Sequence, residues 1–194
     1  MEKSKPAKRV LDNKNRAALV AAVAAGLITI VLVLVLLLDG GDSKHEATNK
    51  QPSSGGAEIV SADALREASA NGATPVYWAG ELRGTRLELS QASEGRTYVR
   101  YLTGDAKAGD PRASFLTVST YAQPEAVAAL RRQGKKPGGV LGDAPGSGTI
   151  YFDRNDPQSV YLAYPGVSVE IEVYDPSPKH ALQLVNSGQI VAVG

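Results

Sequence analysis

The stretch SVEIEVYDPSPKHALQLVNSG, residues 168–188, places a strand pattern directly before a helix pattern. Its first part alternates apolar and polar residues, which is typical of a half-buried strand. The apolar positions of this strand are Val169, Ile171 and Val173. Two prolines end the alternation. A helix is predicted after them, with Ser177 as N-cap, Pro178 at the first helical position and Gly188 as its end.

The same order of strand, proline and helix occurs earlier in the chain, in SFLTVSTYAQPEAVAALRRQG, residues 114–134. The prolines of the two predicted helices, Pro124 and Pro178, are 54 residues apart, and so are the closing glycines, Gly134 and Gly188. The two strands are 53 residues apart, so one residue is inserted before the second helix. The chain therefore contains two similar strand–helix segments.

Each segment is preceded by two further strand patterns. YVRYL at 98–102 matches YLAYP at 161–165. LELSQASEGR at 87–96 and IYFDRNDPQS at 150–159 each predict a strand followed by a polar turn. Because short turns join antiparallel neighbours, the sequence predicts a βββα unit that occurs twice.

Three further segments complete the predicted domain, which spans residues 59–194. SADALREASANG at 61–72 predicts a helix capped by Ser61, PVYWA at 75–79 predicts a strand, and QIVAV at 189–193 predicts a last strand. The predicted fold class is therefore α+β, with about eight mostly antiparallel strands and three helices. The alternation along the strands also predicts that one sheet face meets the helices.

Residues 17–38, AALVAAVAAGLITIVLVLVLLL, contain no charged residue and predict a transmembrane helix. At 1.5 Å per residue they give about 33 Å of helix, enough for a hydrocarbon core about 30 Å thick. The tail at 1–16 has a net charge of +4, whereas residues 39–59 have a net charge of −2. Basic residues stay in the cytoplasm, so the N-terminus is predicted inside and the domain outside.

A cleavable signal peptide is the rival interpretation of this apolar run. The run is longer than a typical signal core, and no A-x-A-like site follows it in DGGDSKHEA at 39–47. We therefore expect an uncleaved anchor and a single-pass protein of the cell membrane. Residues 39–58 are polar and rich in Gly, Ser and Pro, and they predict a flexible linker. Such a linker spans about 25 Å root-mean-square.

Small residues recur every four positions in the predicted span, at Ala18, Ala22 and Gly26. This spacing lets two helices approach closely and favours a homodimer through the span. Alanine is also simply tolerated in lipid, so the pattern alone leaves both interpretations open.

Composition limits the partners of the outer domain. The chain has no cysteine, which rules out a disulfide. Residues 60–194 carry 13 basic and 14 acidic side chains, a balance that gives no reason to expect nucleic acid as a ligand. The predicted partners are the lipid bilayer and an envelope protein, glycan or lipid of unknown identity.

The run RRQGKKPGG at 131–139 is basic but does not form a phosphate-binding loop. That motif needs a glycine five positions before its Gly-Lys pair, where this chain has Ala129. The cations of the run are Arg131, Arg132, Lys135 and Lys136. They follow a predicted helix C-terminus, where positive charge is ordinary, and near a bilayer they would also contact anionic headgroups.

No motif in the outer domain predicts catalysis, a cofactor or a metal site. His180 is its only histidine, and GDAPGSG at 142–148 lacks the G-x-S-x-G order of a nucleophilic serine. FDRNDPQS at 152–159 has oxygen donors but lacks the glycine and the glutamate of an EF-hand. A normal turn between two strands explains it equally well.

Aromatic residues of the strands are the remaining candidates for function. Tyr98, Arg100 and Tyr161 are predicted to share the sheet face opposite the core, where tyrosines stack on sugars or on a partner chain. Trp78 joins them as a fourth candidate for a binding surface. Tyrosine is also a good strand former, so the same pattern has a purely structural interpretation.

The function predicted from the sequence is that of a membrane-anchored, extracytoplasmic, non-catalytic binding module of the cell envelope. The alternative is an anchored hydrolase or transferase whose carboxylates lie on loops. Its candidate carboxylates are Asp105, Asp110, Asp153 and Asp156.

Overall fold

The computed structural model describes residues 56–92 and 95–194, and these residues form an α+β domain. The α+β class, the antiparallel pairing and the three helices are as predicted, whereas the strands number ten. The strands are β1 (Glu58–Val60), β2 (Tyr77–Trp78), β3 (Thr85–Ala92), β4 (Arg96–Thr103), β5 (Thr117–Ala122), β6 (Gly139–Ala144), β7 (Gly148–Asp153), β8 (Asp156–Ala163), β9 (Val169–Tyr174) and β10 (Val191–Ala192). The helices are α1 (Ala62–Asn71), α2 (Ala126–Gln133) and α3 (Pro178–Asn186).

The predicted N-terminal features lie outside the described residues. These features are the tail at 1–16, the span at 17–38 with its small-residue motif at Ala18, Ala22 and Gly26, and nearly all of the linker. Within residues 56–92 and 95–194, no helix is long and apolar enough to cross a membrane.

Eight strands form one sheet in the order β1-β3-β4-β5-β9-β8-β7-β6, and every neighbouring pair is antiparallel. This order is symmetric about the central β5–β9 pair. The register places Ser119 of β5 opposite Glu172 of β9, and these two residues are 53 apart, the same offset that separates the two predicted strands. The three strands of each predicted unit therefore occupy one half of the sheet, whereas α2, the helix of the first unit, packs against β8 in the other half.

Two strands were missed by the sequence pattern, and they are the two edges of the sheet. β1 has only three residues and lies at the end of the predicted linker. β6, with the sequence GVLGDA, contains two glycines and lacks an apolar alternation. Both strands pair on one side only, so backbone hydrogen bonds to β3 and β7 fix them without a strong side-chain pattern.

The helix starts follow the sequence in two cases of three. The Ser61 side chain caps α1 by accepting from Ala64 N at 3.1 Å, and Pro178 is the first residue of α3. α2 begins at Ala126 rather than at Pro124, because Glu125 before it takes the left-handed conformation with φ 56°.

The main core lies on the sheet face that carries Val118, Ile171 and Val173, here called the core face. α1, α3 and the small β2–β10 sheet pack on this face, as the Tyr77 N–H to Thr120 Oγ1 bond of 3.2 Å shows for β2. The opposite face of the sheet is called the second face.

The prediction that only one sheet face meets helices is wrong, because α2 packs on the second face. There Ala126 and Leu130 of α2 form a separate cluster with Ala163 of β8. The cause is visible in β8, whose Leu162 points into the main core while its neighbour Ala163 points to α2. A strand that is apolar on both sides can be covered on both sides.

Candidate functional site

The second face carries a row of polar and aromatic side chains across the middle of the sheet. The register aligns residues from five adjacent strands, namely Tyr98, Ser119, Glu172, Tyr161 and Tyr151. Tyr121 and Glu170 face each other in the next row. Tyr98, Tyr121, Tyr151, Tyr161, Glu170 and Glu172 are together called the Tyr–Glu surface, and all six are half-buried.

Strand alternation explains why these residue types meet on one face. In β9 the residues that alternate with Val169, Ile171 and Val173 are Glu170 and Glu172, so the apolar side chains enter the main core and the two carboxylates point the other way. Two residues along a strand are about 6.6 Å apart at 3.3 Å per residue. The two glutamates are therefore neighbours on the second face.

Glu172 is the acceptor of a hydroxyl network. Its carboxylate accepts from Tyr121 Oη and Ser159 Oγ, each at 2.6 Å, and from Tyr161 Oη at 3.4 Å. Burial, and then the nearby Glu172 charge, raise the pKa of the Tyr121 hydroxyl well above its ordinary value. The same two causes act on Tyr161. Both hydroxyls therefore remain protonated donors at any physiological pH.

Glu170 lies in a different environment from Glu172. Among the described residues, no hydrogen bond reaches its carboxyl group, and Glu172 is the charged neighbour that affects it. Burial, and then the Glu172 charge, raise the pKa of Glu170 to about 7. The Glu170 carboxyl group therefore changes charge near neutral pH, next to the tyrosines of the Tyr–Glu surface.

A loop covers one side of the Tyr–Glu surface, and a buried ion pair holds it. Glu88 of β3 is 1% exposed and accepts from Arg100 at 2.8 Å and from the Gly109 N–H at 2.6 Å. Arg100 also donates to the carbonyl of Asp110 at 2.7 Å. The loop at 104–114 is thus fixed over β3 and β4.

Aromatic contacts and further hydrogen bonds hold the same loop at 104–114. The guanidinium groups of Arg100 and Arg112 both lie close to the Phe115 ring, at 5.2 and 5.4 Å from its centre. The Tyr174 hydroxyl donates to the Ala113 carbonyl at 2.7 Å. Asp110 is partly buried, and hydrogen bonds from Arg112 lower its pKa to about 2.

α2 covers the other side of the Tyr–Glu surface. Tyr151 and Tyr161 pack against the cluster that α2 forms with Ala163. The ring centres of these two tyrosines are 5.7 Å apart. Between α2 and the loop at 104–114, the rings of Tyr98 and Tyr121 meet edge to face at 6.1 Å. The two covers, α2 and the loop at 104–114, lie on either side of the Tyr–Glu surface. The polar and aromatic strip between them, in the middle of the second face, is this Tyr–Glu surface.

The sequence candidates for a binding surface separate into two groups. Tyr98, Arg100 and Tyr161 lie on the second face, as the alternation predicts. Arg100, however, is held by Glu88 and by the loop. Trp78 lies elsewhere, in the main core, where it is 7% exposed and its ring contacts Arg66.

The carboxylates of the alternative enzyme hypothesis lie at two places in the structure. Asp105 and Asp110 belong to the loop after β4, whereas Asp153 and Asp156 face each other at the β7–β8 turn. Asp153 accepts there from the backbone and side chain of Asn155 at 2.8 and 2.9 Å, which is an ordinary turn contact. In the part of the chain that the structure describes, no group of three or more His, Cys, Asp or Glu residues is arranged to hold a metal ion.

His180 has a local structural partner. Its Nδ1 lies 2.7 Å from Asp175 Oδ2, and the other oxygen of Asp175 accepts from the Ser177 N–H at 2.7 Å. Asp175, rather than the Ser177 side chain, therefore serves the start of α3. The ring of His180 is exposed and lies at the surface.

Sequence reasoning missed Glu170, Glu172 and Tyr121 as members of a site. The available signal was the set of alternate positions in VEIEVY and LTVSTY. Once the apolar positions of each strand are assigned to the core, the residues between them must point to the other face of the sheet. Which strands are neighbours was the missing information. Only the β5–β9 pairing brings Tyr121 and Glu172 within hydrogen-bond distance.

The chain matches no protein-family model, no curated protein and no solved structure. Function is therefore inferred from the geometry of the described residues.

Proposed function

We propose that this protein is a single-pass, membrane-anchored binding module whose outer domain presents the Tyr–Glu surface to a partner in the cell envelope. The span at 17–38, the cytoplasmic tail and the internal βββα repeat are parts of this proposal. The apolar run and the charge difference across it support the anchor. The symmetric sheet order supports a repeat of the three strands, whereas the two helices, α2 and α3, pack on opposite faces and do not follow this symmetry.

One observation carries the binding proposal: four tyrosines and two glutamates share a half-buried strip between two fixed covers. Tyrosine rings offer contact area at low conformational cost, and their hydroxyls give orientation. The Tyr121 and Tyr161 hydroxyls donate to Glu172 within the surface, whereas the carboxyl group of Glu170 accepts no hydrogen bond from the described residues, so the surface offers a partner tyrosine rings together with a carboxyl group. Such a mixture is typical of a recognition surface.

The second candidate function is an enzyme, and one observation favours it. Glu170 has a pKa of about 7 and lies beside a second carboxylate. A carboxyl group that titrates near neutrality is suited to general acid–base catalysis. This site differs from the four aspartates of the sequence hypothesis, and we rank it second because the strip contains no nucleophile with an activating base.

Photo-crosslinking in the native cell tests the binding proposal. Benzoylphenylalanine replaces Tyr98 or Tyr151 on the strip and, as a control, Gln183, which is exposed on α3. We expect a discrete adduct from positions 98 and 151 and none from position 183. The same adducts from all three positions, or none from the strip, would contradict the proposal.

The membrane anchor is tested separately from the ligand. We expect alkaline carbonate to leave the protein in the membrane fraction, and protease added to intact cells or spheroplasts to remove the outer domain. A protein that leaves the membrane in carbonate would refute the anchor while leaving the crosslinking result valid.

A further inference from the structure

Five cations gather at one corner of the domain, where α2 ends beside the edge strand β6. They are Arg131, Arg132, Lys135, Lys136 and Arg154, here called the basic corner, and all five are exposed. Arg154 belongs to the β7–β8 turn, and its N–H donates to the Gly138 carbonyl at 3.0 Å. Sequence spacing shows only the first four cations, so the structure adds the fifth.

The backbone of the basic corner is fixed by a series of tight turns. The Lys135, Lys136 and Gly139 N–H groups donate to carbonyls three residues earlier, at 3.2, 3.0 and 3.0 Å. The cations therefore project from an ordered segment. Less conformational entropy is lost when an ordered segment binds than when a flexible tail does.

The cations of the basic corner form no ion pair among the described residues; they share this property with Arg83, Lys107 and Lys179 and differ from those three in being clustered. Arg66, Arg100 and Arg112 each contact a carboxylate within 2.8 Å, and Arg86 donates to the carbonyls of the loop. Among residues 56–92 and 95–194, no carboxylate lies within 4.0 Å of a cation of the basic corner. Its charge is available to an external anion.

An exposed apolar side chain lies within the basic corner. Leu141 of β6 is 42% exposed, and only two other large hydrophobic residues of the described chain, Ile59 and Val191, are comparably exposed. Its side chain lies against Gly134, where even an added Cβ would be 2.2 Å from Leu141 Cγ. Lys135 follows that glycine directly, so the apolar group and the cations form one surface.

We propose that the basic corner, together with Leu141, docks on an anionic lipid surface. Cations bind lipid phosphates while an apolar side chain enters the interface between headgroups and acyl chains, and this combination is typical of peripheral membrane contact. The commitment to lipid rests on the proposed anchor, because a twenty-residue linker with a root-mean-square span of about 25 Å holds the domain near a bilayer. Docking would fix which side of the domain faces the membrane.

The test uses the full-length chain in nanodiscs, either zwitterionic or containing anionic phospholipid, with a quencher in the headgroup region. Because the chain has no cysteine, a single Gly142→Cys carries a fluorescent label next to Leu141. Position 142 is exposed, and an added Cβ there meets only Ile150, at 4.0 Å. Gln91→Cys, exposed on β3 in the other half of the sheet, is the control label.

Two sets of substitutions separate the basic corner from general charge. The first changes its five cations to glutamine, and the control changes three other cations to glutamine, Arg83, Lys107 and Lys179, which are exposed and outside the basic corner. Each cation near an anionic surface strengthens binding by about fivefold. We therefore expect at least a roughly tenfold fall in the docked fraction for the first set and little change for the second.

Quenching at position 142 but not at position 91, only in anionic discs and reversed by high salt, would support the inference. Equal quenching in zwitterionic discs, or quenching that survives the five substitutions, would overturn it. A chain that does not remain with the discs would refute the anchor instead. In that case the labelled chain is mixed with anionic vesicles. Quenching that is lost when the five cations are changed supports the inference, and a lack of quenching overturns it.

Discussion

Glu170 shows how a single residue can be tuned by the sheet in which it lies. Its backbone position is that of an ordinary strand residue, yet burial and Glu172 raise its pKa to about 7. Because the folded pKa lies above the unfolded value, the protonated form is stabilised in the folded state. The contribution of Glu170 to stability is therefore fully present below its ordinary pKa of 4.5 and is lost as the pH rises through about 7.

Replacing Glu170 with glutamine is expected to stabilise the outer domain above pH 7, because the amide has the shape of the protonated acid and never ionises. We expect a gain of about 1–3 kcal/mol at pH 8.5 and a much smaller change at pH 5. Urea denaturation of residues 56–194 at both pH values measures it. Glu81→Gln, at an exposed position, is the control. A gain that is equal at pH 5 and pH 8.5 would show that Glu170 does not titrate as described.

At the scale of elements, the sequence predicted the class of most segments and the antiparallel neighbours within each three-strand unit, but not β1, β6 or the position of α2. The central strands and the helices follow from alternation, from Ser61 as a cap and from Gly134 and Gly188 as helix ends, because those signals act within a few residues. β1 and β6 carry no such signal, since pairing with β3 and β7 defines them. The position of α2 on the second face depends on contacts with β8, which are distant in sequence.

The start of α2 is strained and offers a direct test. Glu125 precedes the helix at φ 56° and ψ 35°, a left-handed conformation that costs a residue with a side chain about 1–2 kcal/mol. We expect Glu125→Gly to raise the free energy of unfolding by about 0.5–1 kcal/mol, because glycine adopts this conformation freely. Glu67→Gly, in the exposed interior of α1, should instead lower stability by about 1 kcal/mol. Loss of stability in both variants would contradict the described helix start.

At the scale of the whole molecule, the two halves of the sheet are joined by the central β5–β9 pair, through six residue pairs from Thr117–Tyr174 to Ala122–Val169. The main core also runs through both halves, since Val99 and Leu162 belong to the same cluster. Neither half has a complete core of its own. The symmetry of the sheet therefore does not divide the domain into two folding units.

We expect residues 56–194 to unfold in one cooperative transition. Trp78 is the only tryptophan and is buried on the small β2–β10 sheet, while circular dichroism reports the large sheet. Since both sheets share the main core, the two signals should change at the same urea concentration. A fragment of residues 56–134 should remain unfolded or aggregate, because it exposes the β5 edge. Two separate transitions would show that the halves are independent.

The central pair of Ser119 and Glu172 has a consequence for the origin of the chain. If the two halves descend from a duplicated gene, the ancestor was a dimer in which one residue faced its own copy across the symmetry axis. Two glutamates in that position would repel each other, and two serines would leave the neighbouring tyrosines without a carboxylate. Only after fusion could one copy mutate alone, so the hydroxyl network around Glu172 is a feature that the ancestral homodimer was unable to build.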